Sequence, residues 1–320
     1  MAVYTEVTDE ELAEFAADYA FGRVFACKGI AEGIENTNYL LATEGGTFIL
    51  TLYEKRVQAD DLPFFLSLME HLAAAGVPCP TPVADRTGHT LKTLAGRPAA
   101  VVSFLPGLWP RRPTPDHCAA VGEALARLHV AGGGFSMRRT NDLSVSGWRP
   151  LFEASCRTPG AVAPELADEL ARELDALEAG WPADAPVGVV HADLFPDNVF
   201  FEGHRLSGII DFYFACTDLL AYDVAICLNA WCFETDGSFN ITKARRMLTG
   251  YRGVRAFSGR ELEALPLLAR GAAMRFLLTR LYDWLTTPKD ALVTPKNPME
   301  YVHKLRFHRG VRGPGAYGLD

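Results

Sequence analysis

The sequence predicts an α+β chain of two lobes: a small antiparallel sheet lobe over residues 1–104, then a larger, mainly helical lobe over 105–320. Three observations predict it. A chain of 320 residues is about twice a typical domain, and 49% apolar with 22% charged residues can fill two cores. β-rich runs bounded by glycine turns dominate the start of the chain, whereas apolar residues at helical spacing dominate the rest. Between the two, residues 105–115 hold Pro106, Pro110, Pro113 and Pro115, the composition of a crossing segment.

Each element has its own signal. Thr8 and Glu11 form a capping box and Val7 with Leu12 a hydrophobic staple, so a helix starts there. Leu12, Phe15, Ala16 and Tyr19 give it one apolar face. Residues 37–43 and 47–53 are β-rich runs around Glu44-Gly45-Gly46, and Gly45-Gly46 suits a tight primed turn. Asp60 or Asp61 caps a second helix with Pro63 in its first turn, and Gly76 ends it. Residues 90–94 and 98–104 complete the small sheet. Beyond the prolines, helices are predicted over 116–130, 164–180, 218–231, 241–251 and 260–285, interrupted by a loop-rich island over 187–213. The tail over 296–312 carries Lys296, Lys304, Arg306, Arg309 and Arg312 and reads as a solvated basic helix or arm.

Composition excludes several functions. A net charge of −8 predicts no nucleic-acid or anionic-membrane surface, although a local pocket can still take a polyanion such as ATP. The apolar run over 219–232 is broken by Asp223 and Asn229, so no membrane span is expected. Glu6, Asp9 and Glu10 stand where a signal peptide would be basic, which predicts a soluble, cytoplasmic protein. The seven cysteines form no CxxC pair and read as structural thiols in a reducing compartment.

The chemistry lies in the island. Val189-Val190-His191-Ala192-Asp193-Leu194-Phe195-Pro196-Asp197-Asn198-Val199-Phe200-Phe201 sets a polar loop between two apolar strands, and Asp211 follows a short hairpin. Four residues separate Asp193 from Asn198, and Asp211 comes thirteen after Asn198, the layout of a kinase catalytic loop and its metal-binding Asp. Phosphoryl transfer asks for positioning and charge neutralisation. Asp193 suits the group that orients an attacking hydroxyl and accepts its proton. Asn198 and Asp211 supply the hard oxygen ligands that Mg2+ takes. Capping polar residues beside strands would explain any one of these positions, but not the joint pattern.

These residues resemble the aminoglycoside and choline kinase branch of the protein-kinase-like fold, whose catalytic loop is H-x-D-x4-N and whose metal motif opens I-D-F or I-D-W. Gly33-Ile34-Glu35-Asn36-Thr37-Asn38-Tyr39, Leu62-Pro63-Phe64-Phe65, Ile210-Asp211-Phe212-Tyr213 and the stretches 48–54, 228–234 and 275–284 resemble the bacterial homoserine kinases within that branch. The resemblance covers nearly the whole chain. It implies a bilobal fold that uses ATP and Mg2+, with L-homoserine as the small-molecule acceptor in threonine biosynthesis. It places Gly33, Asn36, Thr37 and Asn38 in the loop that covers the nucleotide, and Ser103, Phe104 and Leu105 at the hinge that meets adenine. His191 would orient the catalytic loop, His129 would be a core histidine, and Asp223 a buried anchor.

One departure stands out. Kinases pair a strand lysine with a helix glutamate to grip the α- and β-phosphates. Here those positions read Thr51 and Phe65. An unpaired charge in a cleft is costly, so losing one half favours losing the other. Homoserine kinases of this type share the threonine, and Lys55 and Lys28 are the nearest candidates to replace the lysine.

A zwitterionic acceptor needs a cation for its carboxylate and a close wall for its methylenes. Arg275 and Tyr282, seven apart on one predicted helix, and Asn229 with Trp231 on another are the candidate contacts; Arg280 and Asp283 lie beside the first pair. Three rival readings stay open. A sister kinase for choline, methylthioribose or an aminoglycoside would keep the island and add acids for a polycation. A metal-dependent hydrolase would need a second His–Asp cluster. A non-catalytic nucleotide-binding pseudokinase would suit the missing lysine but not the intact Asp193, Asn198 and Asp211.

Overall fold

Thr8 accepts a hydrogen bond from the Glu11 backbone and the Glu11 side chain bonds back to the Thr8 backbone, so the first helix, α1 (Asp9–Ala17), starts at its capping box. The computed structural model describes residues 4–30, 36–54, 58–156, 161–287 and 295–319. They fall into two units: Met1–Gly107 with Ser207–Tyr213, and Leu108–Leu206 with Phe214–Asp320. The sequence places the boundary after residue 104. In the structure it lies after Gly107, and a short segment of the island returns to the first unit.

In the first unit, β1 (Val24–Gly29), β2 (Thr37–Thr43) and β3 (Gly46–Leu52) precede α2 (Leu62–Ala74), and β4 (Lys92–Leu94) and β5 (Arg97–Ser103) follow it. They form one antiparallel sheet in the order β1-β2-β3-β5-β4. Thr43 pairs with Gly46, so the turn is Glu44-Gly45, one residue earlier than the glycine pair suggests. The alternating burial of β2 sends Thr37, Tyr39, Leu41 and Thr43 inward. There Tyr39 and Leu41 join Leu50, Val101 and the α1 residues Leu12 and Phe15 in one core.

The second unit opens with α3 (Pro115–Gly132), α4 (Val145–Ser155) and α5 (Pro164–Gly180). The island follows as β6 (Val187–Val190), β7 (Val199–Glu202), β8 (Arg205–Ile209) and β9 (Cys216–Leu219). β6 pairs antiparallel with β9, and β7 with β8 makes a hairpin. Then come α6 (Leu220–Trp231), α7 (Ile241–Val254), α8 (Gly259–Thr286) and α9 (Met299–Gly310). α3 and α7 approach so closely that a Cβ on Gly122 would collide with the Met247 carbonyl, and one on Gly250 with that of Ala119.

Two elements differ from the sequence reading. α4 escaped it because Pro150 sits inside the helix. The basic tail is not a solvated arm, because α9 buries Tyr301, Val302, Leu305 and also Lys304 and His308. Counting charges hid its apolar face, and two of the counted charges, Arg306 and Arg309, bind Glu169 at 2.7 Å each.

Candidate active site

The loop between β6 and β7 is held from behind by buried groups. Ala192 adopts φ +62°, a left-handed conformation uncommon for a residue with a Cβ. Asp223, fully buried in the first turn of α6, accepts the backbone N–H groups of His191 at 2.7 Å and Ala192 at 2.9 Å. Arg275 of α8 donates from Nη1 to the Ala192 carbonyl at 2.5 Å, and Trp231 Nε1 donates to that of Leu194 at 2.8 Å. His191 Nδ1 accepts the Asp193 N–H at 3.3 Å. Asn198 donates from Nδ2 to the Asp193 carbonyl oxygen at 2.8 Å and to its Oδ2 at 3.3 Å. Such strain persists only where the surroundings over-determine it.

The anchor extends further back. His129 Nε2 lies 3.2 Å from Asp223 Oδ2, and its Nδ1 lies 2.7 Å from the Tyr251 hydroxyl. That hydroxyl accepts from Arg255 at 3.0 Å, and Arg255 pairs with the buried Glu261 at 2.8 Å. Because Tyr251 accepts from Arg255, its own proton goes to His129 Nδ1, which leaves Nε2–H to donate to Asp223. The close approach at Gly122 and Gly250 lets α3 and α7 make this contact. Burial alone would raise the Asp223 pKa, but the hydrogen bonds from His129 and the His191 backbone, with the electrostatic pull of both rings, outweigh it and hold the carboxyl below its ordinary value. The partner of Asp223 that sequence reasoning left unnamed is therefore this loop and His129. The buried acid on an apolar helix was its signal.

On the first unit, Thr51 donates to Asn38 Oδ1 at 2.8 Å, its register partner across β2 and β3. The Tyr213 hydroxyl lies 3.3 Å from that of Tyr53, Thr51 bears on it electrostatically, and its ring meets those of Tyr53 at 5.3 Å and Phe65 at 5.8 Å. Tyr213 thus spans the two positions where a kinase ion pair would stand. Burial chiefly pushes its pKa up to about 12, so it stays protonated. Asp211 adopts φ +65°, the same uncommon conformation as Ala192. Asn36 Oδ1 accepts the Glu54 N–H at 3.2 Å, and Ser103 Oγ accepts that of Thr81 at 2.9 Å. Phe104 is exposed, while Leu105 packs so closely on Gly208 that a Cβ there would collide with it. Gly33 and Lys55 lie outside the described residues.

Some sequence expectations change. Thr37 is wholly buried and takes the N–H groups of Tyr4 at 3.0 Å and Thr5 at 3.2 Å, while donating to Glu54. Its hydroxyl fastens the N-terminal segment to the sheet. Asn229 is also fully buried and gives its amide protons to the carbonyls of Ala225 and Ala269 at 3.0 Å each. Trp231 and Arg275 bond to the loop between β6 and β7, so three of the four acceptor candidates are hydrogen-bonded to backbone carbonyls. Tyr282 remains 41% exposed.

The loop thus joins a strained alanine to an amide–carboxylate pair. Residues 26–257 match the model of the phosphotransferase enzyme family. The chain belongs to the phosphotransferase enzyme family. This phosphotransferase is 66% identical to the homoserine kinase of Rhodospirillum rubrum over 320 residues, the whole of both chains. It is 64% identical to that of Paramagnetospirillum magneticum, again over the whole of both. The structure of an amicoumacin kinase in complex with AMP-PNP and Ca2+ shares the fold, with TM-score 0.70 and 16% identity over 94% of this chain and 92% of that one. Among the described residues no helix is long and apolar enough to cross a membrane, and no group of three His, Cys, Asp or Glu could hold a metal ion.

Proposed function

We propose that this phosphotransferase moves the γ-phosphoryl group of ATP to the side-chain hydroxyl of L-homoserine, giving O-phospho-L-homoserine for threonine biosynthesis. The observation that carries the reading is the loop from His191 to Asn198, supported by its whole-length likeness to homoserine kinases. Asp193 is the group that orients the acceptor hydroxyl and accepts its proton as the oxygen attacks phosphorus. His191, Asp223, Arg275 and Trp231 position it by fixing the backbone on either side.

Mg2+ suits the donor chemistry. With both amide protons of Asn198 directed at Asp193, its carbonyl oxygen is the group left to offer a hard cation, and Asp211 offers a carboxylate. Mg2+ would neutralise charge on the phosphates. Asn36, Asn38 and Thr51 would line the nucleotide loop and strand, and the backbone of Ser103, Phe104 and Leu105 would meet the adenine edge. The seven free thiols support a reducing, cytoplasmic setting.

An ADP-coupled assay with ATP and Mg2+ tests this on L-homoserine, L-serine, choline, methylthioribose and kanamycin. L-Homoserine should give the highest kcat/KM. L-Serine is one methylene shorter and should lose rate through misplacement of its hydroxyl. A higher value for any of the last three would overturn the acceptor while leaving the kinase. Asp193→Asn should keep ATP binding and lose ~10²–10⁴-fold in kcat.

A further inference from the structure

The acceptor carboxylate needs a cation, and Arg275 is committed to the Ala192 carbonyl. A second cationic cluster lies further along α8. Phe195 of the loop between β6 and β7 packs edge-on against Phe276 of α8, centroids 4.9 Å apart, and Phe276 packs against Tyr301 of α9 at 5.5 Å. Lys296, just ahead of α9, lies 3.5 Å from Asp197 and 5.6 Å from the Phe195 ring centroid, so this segment also meets the loop.

Phe276 and Arg280 stand four apart on α8 and share the face that Tyr301 covers. The Arg280 guanidinium lies 4.5 Å from the centroid of the Tyr301 ring, and Lys304 Nζ lies 4.5 Å from the same centroid. Glu300 pairs with both, at 2.7 Å and 2.5 Å. Lys304 also donates to the Asn229 carbonyl at 2.9 Å. Two cations against one carboxylate leave a positive excess at this place, in a chain whose net charge is −8.

Tyr301 is the second sign. It is fully buried, and its hydroxyl has no hydrogen-bond partner among the described residues. Leaving a buried hydroxyl unpaired is costly, so such a group is kept where something else completes it. Burial chiefly, against the pull of Arg280 and with help from Glu300, raises its pKa and keeps the phenol protonated. It is therefore a donor.

We propose that the Arg280 guanidinium and the Tyr301 hydroxyl hold the carboxylate of the amino-acid acceptor and so present its side-chain hydroxyl to Asp193. The guanidinium fork matches a carboxylate, Lys304 and Glu300 fix its place, and the phenol supplies one further donor. This rests on the acceptor being L-homoserine.

The test compares kcat/KM for L-homoserine with that for 3-aminopropan-1-ol, the same amino alcohol without its carboxylate. The wild type should prefer L-homoserine strongly. Arg280→Met should shrink that preference by ~10²-fold, mostly through KM, and Tyr301→Phe by about tenfold. Arg280→Lys keeps the charge beside Glu300, which protects the fold if the methionine variant misfolds, and should still lose about tenfold. A wild type that uses both alcohols equally overturns the acceptor reading and this one together. A wild type that prefers L-homoserine, with folded arginine variants keeping the full preference, overturns this inference alone.

Discussion

The two units treat buried polarity in opposite ways. In the first, the positions of a kinase ion pair are Thr51 and Phe65, joined through Tyr213 into a neutral cluster of hydroxyls and rings. In the second, full charges stay at positions with almost no exposure: Asp223 at 0% and Arg275 at 2%. A buried charge costs several kcal/mol unless it is well paired. It is retained where it holds strained backbone, as at Ala192, because a neutral group would hold two N–H donors and a carbonyl less firmly. Where a charge would serve mainly to grip a ligand, both halves of the pair have gone, and neither leaves the other exposed to that cost.

The hardest way to break the contrast is at Asp223. Asp223→Ala strips an acceptor from two backbone N–H groups and from His129 at once. It should destabilise the protein by ~3–5 kcal/mol in urea unfolding. A loss below about 1 kcal/mol, the size of an ordinary substitution, would remove Asp223 from the role of anchor.

Restoring charge to the other unit sharpens the point. Thr51→Lys alone places an ammonium among Asn38, Tyr213 and Leu52 and should cost ~2–4 kcal/mol. Adding Phe65→Glu should recover part of it, giving a coupling energy of ~1–2 kcal/mol in a double-mutant cycle. If the two effects simply add, the positions are independent and their joint loss needs another cause.

His308 extends the neutral solution to α9. Its Nδ1 lies 2.8 Å from the Tyr317 hydroxyl, and burial, helped by Lys304, pulls its pKa from 6.5 down to about 3. As pH falls through 6.5 the unfolded chain takes up a proton that the fold refuses until about pH 3. The stabilisation is thus complete above 6.5 and is lost below it, by ~1.4 kcal/mol per pH unit from this group. Melting of wild type and His308→Asn across pH 4 to 7 should converge toward the acid end. Parallel curves would mean that His308 is not held neutral.

Much of this was legible in one dimension. The capping box at Thr8, the paired runs of β2 and β3, and the D-x4-N spacing all depend on residues close in sequence, where backbone geometry translates spacing directly into position. The proposal that Asp193, Asn198 and Asp211 form a phosphoryl-transfer set comes from the same reading, because that chemistry asks for those side chains in that order. What escaped was every choice between two uses of one side chain. Thr37 offers the same hydroxyl whether it faces a phosphate or the N-terminal segment, and Arg275 the same guanidinium whether it meets a carboxylate or the Ala192 carbonyl. Those choices were made by residues 32 or more positions away: Tyr4 and Thr5 for one, and Ala192, 83 residues off, for the other. The basic tail tells the same story, since only packing shows that Tyr301 and Lys304 lie inward while Arg306 and Arg309 reach Glu169. Spacing sets which groups a segment can present, but burial and hydrogen-bond satisfaction are properties of the assembled chain, and they alone decide where each group is spent.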